Sequence, residues 1–152
     1  MLETLVPAAE QADLAAMAEG YVAEMAAFDP AIPSGFVYPD LALYWAEPER
    51  RWPFWLKLEG GNAGFALERR DRDDRLQIAE FFVLRRFRRQ GVGLAAARRL
   101  IGRFPGVWRI TQRETNAGAI AFWHRVLDGF VAYEETTTTR DAIRREQRFS
   151  IP

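Results

Sequence analysis

The sequence contains no cysteine, one histidine (His124), one lysine (Lys57) and no apolar run near the length of a membrane span. Without cysteine there can be no disulfide, thiolate metal site or cysteine nucleophile. A metal site has little to build on with a single histidine, so none is expected. His124 stands beside Trp123 on a predicted helix and reads as a surface or packing residue. Met1-Leu2-Glu3 lacks a basic leader before its apolar residues, so a cytoplasmic protein with no membrane association is expected. Internal repeats, linkers and low-complexity tails are also missing. The 152 residues suit one domain, 1–152, with room for a core.

What is present describes a folded chain. Hydrophobic residues make up 49% and aromatics 13%, which argues against disorder. The net charge of zero hides two opposed halves. Residues 1–80 hold seven basic and fifteen acidic side chains, and residues 81–152 hold fourteen and six. A basic half suits a polyanionic ligand and an acidic half a cationic one, and solvated faces explain both equally well.

Taken in order, Leu2 to Val6 predicts a first strand. Leu14, Met17, Ala18, Tyr21, Val22 and Met25 recur at helical spacing between Pro7 and Phe28. Asp29-Pro30, Pro33-Ser34-Gly35 and Pro39-Asp40 are turn signals. Leu41, Tyr44 and Trp45 predict a short helix. Tyr38, Tyr44 and Trp45 could wall a pocket, although aromatics so spaced more often sit in a core. Trp52 to Leu58 and Ala63 to Glu68 read as a hairpin about Glu59-Gly60-Gly61-Asn62, followed by a charged loop, Arg69 to Arg75. Leu76 to Leu84 is the central strand. A helix from Gly91 to about Arg103, a strand from Val107 to Thr111 and a helix from Asn116 to Leu127 follow, with Asn116 as N-cap and Gly129 near the C-cap. Phe130 to Thr139 and Glu146 to Ile151 give the last strands.

The stretch from Val83 to Leu94 organises this pattern. A strand feeds an arginine-rich turn, and Gly91 and Gly93 then open a helix. Glycine lets the main chain turn tightly and approach a ligand. The first-turn N–H groups and the helix dipole attract phosphate oxygens, and arginines add charge-assisted contacts, so the stretch suits a pyrophosphate. Gly91-Val92-Gly93-Leu94-Ala95-Ala96 also fits a dinucleotide-binding turn, with Glu114 at a ribose-contact distance. That fold needs its first glycine at the strand end, yet six residues separate Leu84 from Gly91. It also needs more βαβ units than the tail supplies. A P-loop is excluded because no Gly-Lys-Ser/Thr exists.

Arg88-x-x-Gly91-x-Gly93 resembles the acyl-CoA signature of the GNAT superfamily of N-acetyltransferases. Asn116-Ala117-Gly118-Ala119-Ile120-Ala121-Phe122-Trp123, followed by Gly129-Phe130, resembles a second element of that superfamily. The resemblance is specific over about Ile78 to Phe130. It implies an α/β (α+β) fold with a central mixed, mostly antiparallel sheet, splayed at the cofactor site and flanked by helices. The implied activity is transfer of an acetyl group from acetyl-CoA, or another acyl-CoA, to a primary amine of a small molecule or peptide. Main-chain groups of Phe82, Val83 and Leu84 would hold the pantetheine. Arg88, Arg89, Gln90, Gly91, Val92, Gly93 and Leu94 would hold the pyrophosphate, with Asn116, Phe122 and Trp123 packing beside the cofactor.

The superfamily often uses a tyrosine after this phenylalanine to protonate the leaving thiolate. Trp123 stands there instead, and an indole N–H is no acid at neutral pH. Tyr133, Tyr44 or water could replace it, or the thiolate could leave unprotonated. Glu80 on the central strand is the candidate base; a structural acceptor is the equal alternative. An acyl-CoA-binding module without turnover is the rival function. No nucleic-acid partner is expected, because the arginine cluster matches no recognised motif. A homodimer is left open.

Overall fold

The computed structural model describes the chain except for Met1, Phe28, residues 33–37, Pro39 and Arg140. The turn signals at Pro33-Ser34-Gly35 and Pro39 lie outside the described residues. In order the elements are β1 (Leu2–Leu5), α1 (Gln11–Met25), α2 (Leu43–Ala46), β2 (Arg51–Leu58), β3 (Gly61–Arg70) and β4 (Leu76–Val83). After these come α3 (Val92–Arg103), β5 (Gly106–Arg113), α4 (Ala117–Leu127), β6 (Glu134–Thr138) and β7 (Arg144–Ile151). They form one seven-stranded sheet in the order β1-β2-β3-β4-β5-β7-β6. All pairings are antiparallel except β4 with β5, so the expected mixed, mostly antiparallel sheet is present.

The period-two alternation of the strands divides the core between two faces. On one face, Trp55, Phe65, Leu67 and Phe82 pack against Leu14 and Ala18 of α1 and Tyr44 of α2. On the other, Phe54, Leu56, Ala66 and Val83 meet Ala96 and Leu100 of α3. Leu76, Ile78, Trp108, Ile110 and Phe149 meet Ala97, Ile101 and the buried side of α4. The alanines of α3 let the helix lie close to the sheet. Tyr44 is 1% exposed, in line with a core aromatic. Among the described residues no helix is long and apolar enough to cross a membrane.

Several boundaries differ from the pattern: β3 runs from Gly61 to Arg70, taking in two residues read as loop, and β7 starts at Arg144. The sixth strand starts at Glu134 rather than Phe130, because Phe130 and Val131 N–H bond back to the Leu127 carbonyl at 3.0 and 3.1 Å. The charged loop after β3 is only partly exposed. Asp71 organises it, its Oδ1 accepting from the N–H of Asp73 and of Arg75, both at 2.9 Å.

Candidate active site

Two irregularities in the sheet create the site. The first is a register shift on β4: Leu67 faces Glu80, but Glu68 faces Ile78, so Ala79 is an extra residue, a β-bulge. A one-residue slip exchanges the faces of a strand. Leu76 and Ile78 point toward α3 and α4, and after the bulge Phe81 and Val83 do so. Glu80 is thereby turned toward α1, out of a core that would have buried it among apolar side chains. The second is the divergence of β4 and β5, whose ladder has one paired position, Leu76 with Trp108. Beyond it the strands separate toward Val83 and Arg113.

Hydrogen-bond alternation shows which main-chain groups face that gap. The Leu84 N–H bonds the Ala63 carbonyl at 2.8 Å, which commits Leu84, and by alternation Phe82, to β3. Phe81 and Val83 therefore face the gap. On the opposite strand the Glu114 N–H bonds Ile143 at 3.0 Å, so by the same alternation Thr111 and Arg113 face it. The sequence expectation named Phe82, Val83 and Leu84; the alternation turns Phe81 and Val83 to the gap and commits Phe82 and Leu84 to β3. Glycine at position 64 makes the β3–β4 approach: a Cβ there would lie 2.0 Å from the Phe82 carbonyl oxygen.

At the wide end, Arg85–Phe87 forms a 3-10 turn and the chain enters α3 through two left-handed residues, Arg89 (φ 62) and Gly91 (φ 76). From Arg89 onward, the first N–H to meet a main-chain carbonyl is that of Ala95, on Gly91 at 3.1 Å. Gly91 at the N-cap has no side chain to cap α3, and no acidic residue stands in the helix's first turn. The N–H groups of Arg89, Gln90, Gly91, Val92, Gly93 and Leu94 thus form a donor-rich concavity at the positive end of a helix. A Cβ on Gly91 would meet nothing within 4 Å, whereas one on Gly93 would press Val83, Phe122 and Phe81 at 3.4, 3.6 and 3.7 Å. The exposed Arg85, Arg86 and Arg89 surround this loop. These features fit a diphosphate.

Arg88 behaves otherwise. Its Nε donates to the Val83 carbonyl at 2.6 Å, and its Nη2 donates to both Glu24 carboxylate oxygens at 3.0 and 2.8 Å. Its side chain therefore ties the loop to α1 rather than reaching toward a phosphate. Asn116 caps α4 as expected, accepting from Ala119 N–H at 3.0 Å, and its Nδ2 donates to Met25 Sδ at 3.8 Å. Arg113 pairs with Asp29 at 2.5 Å. The C-terminal end of α1 is thus fastened to both lips of the gap.

Phe122 stacks on Phe81 with ring centroids 5.4 Å apart, at the gap's edge. Trp123 is 6% exposed and belongs to the core under α4, packed edge-on against Phe81 and Phe122 at 5.6 and 5.1 Å. Tyr133, expected as a candidate acid, lies apart from Glu80. It packs on the α3/α4 face and donates to Asp128 at 2.7 Å, away from the face that carries Glu80. That bond, with burial, raises the Tyr133 hydroxyl to about 12. His124 pairs with Glu135 at 2.5 Å on the same outer side.

Glu80 accepts a hydrogen bond from the Tyr21 hydroxyl. Protein atoms crowd its carboxyl, and this burial raises its pKa; the Tyr21 and Tyr38 hydroxyls, then Arg69 and Arg144, pull the other way. The residue as a whole is half-buried. The ring of Tyr21 is wedged edge-on against Phe65 and Phe82, at 5.8 and 5.7 Å. Burial, then the charge of Glu80, raises the Tyr21 and Tyr38 hydroxyls, which therefore stay protonated at neutral pH. Helical spacing alone presented Tyr21 as a core residue, and nothing in the pattern marked it as the partner of Glu80.

Known proteins agree with this geometry. Residues 15–128 match the model of the acetyltransferase (GNAT) family. An acetyltransferase of that family from Streptococcus agalactiae superposes with a TM-score of 0.75 at 15% identity, over 99% of this chain and 95% of that one. A putative acetyltransferase from Salmonella typhimurium, solved with its cofactor acetyl-CoA, gives 0.71 at 14% identity over 100% and 94%. The ribosomal-protein-S18-alanine N-acetyltransferase of Escherichia coli gives 0.62 at 19% identity over 99% and 92%. No curated protein matches by sequence. With a family model spanning most of its length and the splayed sheet in place, the chain belongs to the GNAT acetyltransferase family.

Proposed function

We propose that residues 1–152 act as one domain that transfers an acetyl group from acetyl-CoA to a primary amine of a small molecule or peptide. The observation that carries this is the juxtaposition of a gap between β4 and β5 with a donor-rich loop at its wide end. The main chain of Phe81 and Val83 offers a thioester arm the hydrogen bonds of an added strand. The N–H groups from Arg89 to Leu94 suit its pyrophosphate, and Phe122 flanks the arm. An acyl-CoA held there supplies a thioester carbonyl as the acyl donor.

Glu80 then acts as base. An amine reaches the site largely as ammonium and must lose a proton before it can attack a carbonyl carbon. A carboxylate with a raised pKa is better matched to that task than an exposed one. Tyr21 holds one carboxylate oxygen, and the Tyr38 hydroxyl also favours the ionised form. A leaving thiol with a pKa of about 8.5 departs readily as thiolate, so water suffices to protonate it and no side-chain acid is required.

Free-thiol release with acetyl-CoA and a panel of amines tests the reading. Acceptor-dependent release that falls steeply in Glu80→Gln supports it. Measurable CoA binding with no release above background would leave an acyl-CoA-binding module instead.

A further inference from the structure

We infer that the acceptor carries a carboxylate beside the amine to be acylated, and that Arg69 binds it. The inference rests on the transferase reading and adds a substrate class to it. Strand β3 sets Phe65, Leu67 and Arg69 on the face that α1 and α2 cover. Leu67 lies opposite Glu80 and Arg69 opposite Gln77, so Arg69 is one same-face step from the proposed base, on the side away from the pyrophosphate loop.

The partners of Arg69 are what set it apart. Its Nε donates to Gln77 Oε1 at 3.2 Å, and Gln77, 7% exposed, is held in turn by Asp71 Oδ2 at 2.9 Å. Arg69 is therefore steadied by a neutral amide. Among the described residues, every other half-buried arginine either pairs with a carboxylate or, like Arg50 and Arg98, donates to main-chain carbonyls. A half-buried guanidinium with no carboxylate in contact among the described residues is costly, and its planar fork of N–H groups suits a carboxylate held by two bonds. Glu80, Tyr38 and Tyr44 all lie within its field.

The cleft is therefore bipolar, with a carboxylate for the amine and a guanidinium one step away. Arg144, which also reaches Glu80 electrostatically, is matched by Asp141 at 3.1 Å. The acidic first half of the chain does not make the cleft acidic, because Glu24 and Asp29 are tied to Arg88 and Arg113. A polyamine would meet repulsion from Arg69, whereas an amino acid places opposite charges against opposite charges. A dicarboxylic acyl donor shares this chemistry and is the source the test must separate.

The experiment follows thiol release with acetyl-CoA from glycine, β-alanine and γ-aminobutyrate, and from the three corresponding amides. A second arm supplies succinyl-CoA with the amides. A charge-assisted pair predicts kcat/KM about tenfold to a hundredfold higher for the best carboxylate than for its amide. Arg69→Gln should collapse that ratio through the acceptor KM. Amides used as well as acids by the unaltered protein, a ratio that survives Arg69→Gln, or a dependence on Arg69 seen only with succinyl-CoA would each overturn the assignment. No release with any pair, alongside retained CoA binding, would remove the transferase reading itself and this inference with it.

Discussion

Replacing Glu68 by leucine should stabilise the protein at neutral pH, by an amount that grows as pH rises. Glu68 lies on β3, opposite Trp52 and Ile78, and is 0% exposed. Neither carboxylate oxygen has a hydrogen-bond partner among the described residues. Burial pushes its carboxyl up to about 9, against the smaller opposing pull of Arg103 and Arg70. The native state therefore holds the acid protonated through the neutral range, while the unfolded chain ionises near its ordinary value of 4.5. A group whose folded pKa is raised contributes its full stability below the unfolded value and loses it as pH climbs to the folded value. Between about 4.5 and 9 the loss is about 1.4 kcal/mol per pH unit, or ~3 kcal/mol by pH 7. Leucine has no proton to lose, so its advantage should grow along the same slope. Urea denaturation of both proteins at pH 5, 6, 7 and 8 reads this directly. A difference in unfolding free energy that stays constant across that range would refute the reasoning.

Three further substitutions test the site and its scaffold. Glu80→Gln should slow turnover about a hundredfold with little change in CoA affinity, and it should flatten the acidic limb of the pH–rate profile; a limb that persists assigns the base elsewhere. Tyr21→Phe removes a donor that favours ionised Glu80, so that limb should move to higher pH; carboxyl NMR titration of Glu80 reads the same shift without turnover, and an unchanged midpoint discards the role. Gly64→Ala drives a Cβ into the Phe82 carbonyl oxygen and should cost about 3 kcal/mol or more by thermal or urea unfolding; a loss under about 0.5 kcal/mol would mean the β3–β4 approach is not rigid.

Much of the fold was legible because its signals are local. Helical spacing marked α1, the paired glycines marked the start of α3, and Asn116 marked the cap of α4, which the structure gives as a side-chain bond to Ala119. The bulge at Ala79 was not placed from the sequence: Gln77 and Glu80 are out of phase in a period of two, but Phe81 to Leu84 is apolar on both faces, so the pattern does not say which residue is the extra one. Without the bulge's position, the alternation that selects Phe81 and Val83 could not be worked out. Arg88 and Trp123 matched motif positions by identity, but long-range packing decides where a side chain goes. Glu24 draws Arg88 across to α1, and the core under α4 takes Trp123. The Tyr21–Glu80 contact spans 59 residues and arises only once α1 is laid across the sheet.

The most direct test of the central claim is an amide NMR titration of the protein with CoA, following every backbone N–H. The account predicts the largest shifts at Arg89 through Leu94 and at Phe81 and Val83, with Leu84 little moved, and their loss in Gly91→Glu. Shifts gathered instead on the outer arginines of α3, or none at all, would contradict it.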